Sequence, residues 1–86
     1  MSAGADRVRV VVVVADLPTV QRLLVMVVGR RHTITHLEAE EAPSGRWRVT
    51  LDCALDGGDP DLLLERLRRI PTVLTVAVRG REHEPA

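Results

Sequence analysis

Two aspartate–proline openings, Asp16-Leu17-Pro18 and Asp59-Pro60-Asp61, constrain this chain more than anything else in it. Proline suits the first turn of a helix, because its φ is already near the helical value and its missing N–H has no partner to lose there. An aspartate just before it can cap the free amides that follow. Each opening lies between two runs rich in β-branched residues. The order is therefore strand, helix, strand, then strand, helix, strand. Right-handed crossovers for both β-α-β units place the strands 4-1-3-2, with both helices on one face.

The segments can be read individually. Residues 7–14 are nearly all valine, a run of strand length without alternation, as in a central strand. Val8, Val10, Val12 and Val14 are expected toward the helices, with Val11 and Val13 on the opposite face. After Pro18, Val20, Leu23, Leu24, Val27 and Val28 follow helical spacing and predict the first core stripe, ending around Gly29-Arg30-Arg31. Val25 and Met26 fall outside that stripe and form a candidate contact surface. Thr33–Glu41 reads as a polar edge strand, Pro43-Ser44-Gly45 as a hairpin turn, and Arg46–Leu55 as a strand with Trp47, Val49, Leu51, Cys53 and Leu55 inward. Gly57-Gly58 breaks the chain. Leu63, Leu67 and Ile70 line the second helix, Glu65 and Arg69 pair on its surface, and Pro71 ends it. The last strand runs from Val73 to Arg79, with Leu74, Val76 and Val78 on one face. The expected class is α+β, a ferredoxin-like βαββαβ two-layer sandwich with a four-stranded antiparallel sheet. Residues 1–6 are expected to be disordered, 7–79 to form the domain, and 80–86 to be a flexible tail.

Composition narrows the function. Eighty-six residues allow one domain, burying about 60–65% of the unfolded surface. Twelve arginines balance twelve acids with no lysine, so general attraction to nucleic acid or anionic lipid is not indicated. RNA-binding versions of such a sheet stack bases on aromatics from the central strands. This chain has no Phe or Tyr, and Trp47 is expected inward. Arg9, Asp16, Pro18 and Arg22 interrupt the apolar span 8–28, so no membrane crossing is expected. Cys53 is alone, which excludes a disulfide framework and points to the cytoplasm. No metal site or cofactor is expected. His32 and His36, four residues apart on a strand, sit about 13 Å apart, too far for one ion. Asp52 reads as a lone carboxylate on the open face. With no Lys, no Asn, and Ser only at positions 2 and 44, nucleophilic catalysis has little to work with. The chain reads as a non-enzyme.

The turn Asp16–Thr19 differs in kind. It joins a central strand to a helix N-terminus, where free amides can receive a carboxylate and Asp16 can meet an ammonium, a pairing that suits an amino acid. The plainer reading is that Asp16 and Pro18 only cap and start the helix.

Asp16-Leu17-Pro18-Thr19-Val20, followed by a helix and by residues 29–37 from Gly29 to Leu37, resembles the ACT-domain pattern Asn-x-Pro-Gly-x-Leu, helix, Arg-Arg-Gly-Phe-Asn-Ile-x-Ser-Leu. The end, residues 67–76, resembles Leu-x-Lys-Leu-x-x-Val-x-x-Val from the regulatory small subunit of acetolactate synthase. The likeness covers residues 8–79. It implies a regulatory, activating subunit in branched-chain amino-acid synthesis, a homodimer through an edge strand and the first helix, docked on a thiamine-diphosphate-dependent catalytic large subunit. It also implies an amino-acid ligand (valine, leucine or isoleucine) held by Asp16, Leu17, Pro18, Thr19 and Val20, with His32, Thr33 and Ile34 from a neighbouring protomer. Val25, Met26 and His36 are the interface candidates. Asp16 stands where the family has Asn, and Thr19 where it has Gly. A free-standing amino-acid-binding ACT module acting on another enzyme is the alternative, and a purely structural oligomerisation domain a third.

Overall fold

A computed structural model describes residues 6–30, 32–55 and 59–83. Strand β1 (Asp6–Val14) leads into helix α1 (Leu17–Gly29), β2 (Thr33–Glu41), a single 3-10 turn (Pro43–Gly45), β3 (Trp47–Leu55), helix α2 (Pro60–Arg68) and β4 (Val73–His83). The sheet order is β2-β3-β1-β4, which is 4-1-3-2 read from the other edge, and every pairing is antiparallel. The α+β ferredoxin-like sandwich is therefore the fold.

The valine run of β1 is central because it has two neighbours to pair with and a helix layer to bury. Val8, Val10, Val12 and Val14 are at most 2% exposed. They meet Val49, Leu51, Cys53 and Leu55 of β3 beneath Val20, Leu23 and Val27 of α1 and Leu63, Leu64 and Leu67 of α2. With Trp47 the chain's one aromatic and only half-buried against the core, the buried cluster consists of short, mostly branched side chains that must interlock closely. Truncating one of them, as in Leu51→Ala or Leu67→Ala, costs about 2–5 kcal/mol. Helix α1 packs over β2, β1 and β3, and α2 over β4. The hairpin between β2 and β3 closes with Ala42 N–H donating to the Arg46 carbonyl at 2.7 Å. Its tip puts both Ser44 (φ 68°) and Gly45 (φ 76°) in the left-handed region. Glycine enters that region freely; serine is strained there.

The expected phase of α1 is corrected. Val28 is 61% exposed, whereas Met26 is half-buried against the core. Thr19 is 3% exposed and joins Val20, Leu23 and Val27 on the buried face. Burying Thr19 rotates the helix toward Met26 and carries Val28 outward. Met26 is thus a packing residue and not part of an outward contact surface, while Val25, at 67% exposure, does point to solvent. The helix end also differs. Gly29 lies within the last turn, and Arg30 caps it at φ −98°, ψ 16°, without entering the left-handed region, its N–H reaching the Val27 and Val28 carbonyls.

Other boundaries shift as well. Strand β3 begins at Trp47 rather than Arg46. β4 continues past Arg79 through Gly80 to His83, pairing back to Asp6, so the expected tail starts too early. Leu74, expected on one face with Val76 and Val78, falls outside the paired alternation of β4. It is the extra residue of a bulge, since Val13 pairs with Thr75 while Val14 pairs with Val73. The expected break at Gly57-Gly58 and the terminal residues 1–5 and 84–86 lie outside the described residues.

Candidate functional site

The turn singled out by sequence is locked from within. Asp16 is the N-cap of α1, and its Oδ1 accepts from the Thr19 amide at 3.0 Å and from the Thr19 hydroxyl at 2.6 Å. These bonds, hydroxyl first and amide second, hold the Asp16 carboxyl below the usual carboxylate range. The Thr19 hydroxyl also meets the Thr72 hydroxyl at 2.5 Å, and Ala15 N–H donates to the Thr72 carbonyl at 2.9 Å. The helix start is thus tied to the entry of β4. A hollow of about 140 Å³ lies beside Asp16, Pro18, Thr19 and Thr72, below the 300–1,000 Å³ typical of ligand sites, and an open one of about 390 Å³ lies over Leu17, Pro18, Val20 and Leu24. Of the residues expected to line an amino acid, Thr19 (3%) and Val20 (7%) are buried, and Leu17 and Pro18 are exposed on the helix.

His32, Thr33 and Ile34 are not brought to that turn within one chain. Thr33 pairs with Ala54, whose partner on β1 is Arg7. The turn follows Val14, seven residues along the same strand, about 23 Å away. Ile34 packs against the core, and His32 is half-buried, its pKa lowered by burial and by Arg30 and Arg66. His36 lies on the open sheet face, its Nε2 3.3 Å from Glu38 Oε1. Among the described residues no group of three or more His, Cys, Asp or Glu could hold a metal ion. The Cys53 thiol, 1% exposed, is pushed up to about 11 by burial and secondarily by Asp52.

The open sheet face holds what sequence reasoning missed. Asp52 is not a lone carboxylate. Arg9 sits directly across from it and donates from Nε to Oδ1 at 2.6 Å and from Nη2 to Oδ2 at 2.7 Å. That two-pronged bond keeps Asp52 below, and Arg9 above, their ordinary values. Around the pair lies a cavity of about 500 Å³ whose lining includes Arg7, Thr35, Arg79 and Gly80. The signal for the pair was in the alternation: Arg7 and Arg9 interleave with inward Val8 and Val10, and Asp52 is outward on the strand that pairs with them. At the other end of this face, Val11 and Val13 are half-buried, with Thr50 and Arg48 opposite.

No protein-family model and no curated protein matches the chain. Among solved structures it is similar to the C-terminal domain of the MgtC protein from Mycobacterium tuberculosis, with a TM-score of 0.68 and 16% identity across 99% of this chain and 94% of that one. At that identity the likeness is one of fold. It corrects the resemblance drawn from the motifs: the likeness found is to an MgtC domain, and no family model or curated protein supports an ACT domain. The assignment to acetolactate synthase regulation in branched-chain amino-acid synthesis and the free-standing ACT alternative are both overturned. The residues that carried them are those any helix-backed sheet of this order uses.

Proposed function

We propose that this chain is a non-catalytic assembly domain of the cytoplasm that pairs with a second copy of itself through one flank of α1 and the neighbouring edge strand β2. One observation carries the reading. Seven large apolar side chains are exposed among the described residues, and four of them, Leu17 (53%), Val25 (67%), Val28 (61%) and Leu37 (44%), belong to α1 and β2. Leu17, Leu24 and Val28 repeat at helical spacing along one flank. Thr19, on another side of the helix, touches Thr72 ahead of β4, so this flank is the one turned toward β2. A cluster of exposed apolar groups on so small a domain marks a contact surface.

The groups that could do chemistry support the non-catalytic half of the reading. Asp16 is committed to Thr19, Asp52 to Arg9, and Cys53 is a buried neutral thiol. No helix among the described residues is long and apolar enough to cross a membrane. The similar MgtC fold serves as a C-terminal domain, which accords with accessory work. Glu38 and Glu40 flank the outer rim of β2 on the open face, so a backbone ladder between two β2 edges is opposed by like charge. The contact therefore runs through the helix flank and Leu37. Sedimentation equilibrium tests it. The parent chain should dimerise, and Val25→Glu/Val28→Glu should be a monomer with an unchanged far-UV spectrum. A monomeric parent, or a variant that still dimerises, would refute the reading.

A further inference from the structure

The two edges of the sheet are built differently. β2 is exposed along almost its whole length and is charged by Glu38, Glu40 and Glu41. It also carries a bulge, since Ile34 pairs with Cys53 and His36 with Asp52, leaving Thr35 as the extra residue. Charges and bulges of this kind keep foreign strands from pairing with an edge. β4 is the opposite edge, and its first half has no such charge. Residues 73–78 read Val-Leu-Thr-Val-Ala-Val, without a charged residue, a proline or a glycine. That is the composition that most readily joins another strand. Leu74 and Val78 in this run are two of the exposed large apolar side chains, and neither belongs to the α1 and β2 cluster.

Bulges bound the run at both ends. Leu74 is the extra residue at one, and Arg79 at the other, where Val78 pairs with Val10 and Gly80 with Arg9. Between them Thr75, Val76, Ala77 and Val78 pair in regular register with β1. In an antiparallel ladder alternate residues direct N–H and C=O to one neighbour, and the others turn theirs to the opposite side. β4 thus presents a short row of backbone donors and acceptors outward. Beside it lies a hollow of about 350 Å³ lined by Arg68, Val73, Leu74, Thr75 and Val76. Arg68 is exposed and is the one charged group of that described lining. The acids of its own helix are engaged elsewhere: Glu65 accepts from Arg69 at 2.8 Å, and Asp61 has a partner of its own.

We infer that β4 takes up an extended segment of a partner protein as an added strand, with an apolar side chain in the hollow and an acidic one against Arg68. Backbone hydrogen bonds supply the affinity and the hollow supplies the selectivity, as in strand addition generally. A flexible segment suits this edge better than a second copy of the chain. Bulges bend a strand, so two rigid β4 edges, each bulged at both ends, match only over residues 75–78. A single unfolded segment bends with the edge it joins. The site lies on the edge away from β2, so it stands or falls separately from self-association through α1 and β2.

The test is a titration of the ¹⁵N-labelled full chain with a short capped peptide that alternates valine and threonine around one glutamate. Saturable amide shifts are expected at Thr75, Val76, Ala77 and Val78 and not at Leu37 or Ala39, with a dissociation constant of about 100 μM or tighter. N-methylation of the peptide backbone should abolish binding, because the added ladder loses its donors. Val78→Glu gives this edge the charge that β2 carries, and should weaken binding about tenfold while the spectrum stays folded. Exchanging the peptide's glutamate for glutamine should weaken binding about threefold in the parent and not in Arg68→Gln. Absence of saturable shifts up to about 1 mM peptide, shifts centred on β2, or binding indifferent to N-methylation or to Val78→Glu would overturn the proposal. So would a glutamine effect that persists in Arg68→Gln. Shifts at residues 75–78 that follow protein concentration without peptide would assign the edge to a second copy, and would overturn it equally.

Discussion

Replacing Thr19 by valine tests whether the first turn of α1 is a tied structural corner. Valine keeps the shape of threonine and removes only the hydroxyl. That hydroxyl is 3% exposed as part of Thr19, donates to Asp16 at 2.6 Å and, having spent its one hydrogen, accepts from Thr72 at 2.5 Å. The amide bond from Thr19 to Asp16 at 3.0 Å survives, so the helix start itself persists. Two hydrogen bonds at about 1 kcal/mol each are lost, offset in part by the more apolar methyl, for a net cost of about 1.5 kcal/mol. In a domain of this size that lowers Tm by about 6–12 °C. Thermal and urea unfolding followed by far-UV circular dichroism measure it, with the urea m-value unchanged. Thr72→Val should cost less alone, and the double variant should cost less than the sum, because both remove the same contact. A Thr19→Val chain as stable as the parent, or strictly additive costs, would refute the tie between α1 and β4.

Other perturbations follow from the same packing. Met26→Glu places a charge against the core and should destabilise by about 1–3 kcal/mol in urea unfolding without altering self-association; a stable variant with weakened association would restore Met26 to the surface. Cys53, with its thiol raised to about 11 and 1% exposed, should not react with a thiol reagent at pH 8 until the chain unfolds; prompt labelling of the native chain would contradict its burial. Asp52 has a folded pKa below its unfolded value because of Arg9. Its contribution is therefore present above the unfolded carboxylate pKa and lost as pH falls through the lower folded value. Arg9→Gln should lower stability at pH 7 and flatten its decline below pH about 4; parallel pH–stability curves for parent and variant would show that the pair contributes nothing.

The fold was legible because its strongest signals are local. The valines of β1 can be satisfied only in a two-sided central strand, and Asp16-Leu17-Pro18 and Asp59-Pro60-Asp61 each combine a cap with a preformed φ. The phase of α1 was not legible, because residues 23–28 are uniformly apolar and offer no polar side to orient the helix. The deciding residue was Thr19, a polar group buried by a partner 53 residues away, a pairing no local pattern contains. The bulges at Thr35, Leu74 and Arg79 were equally hidden, since bulges depend on how strands register against each other. With them went the face on which Arg79 and Thr35 meet Arg9. The motif resemblance failed for a related reason. Pro18, Gly29, Ile34 and the Leu67–Val76 spacing answer the needs of a helix-backed sheet, so they report the architecture and leave the function unmarked.

The central claim is that α1 and β2 meet a second copy of this chain. A mixture of ¹³C-labelled and unlabelled chains, examined by isotope-filtered nuclear Overhauser spectroscopy, reads that contact directly. The account predicts intermolecular contacts among the methyls of Leu17, Leu24, Val28 and Leu37, and none from Val12 or Leu67. Intermolecular contacts confined to Leu74 and Val78 of β4, or none at concentrations where the chain is associated, would contradict it.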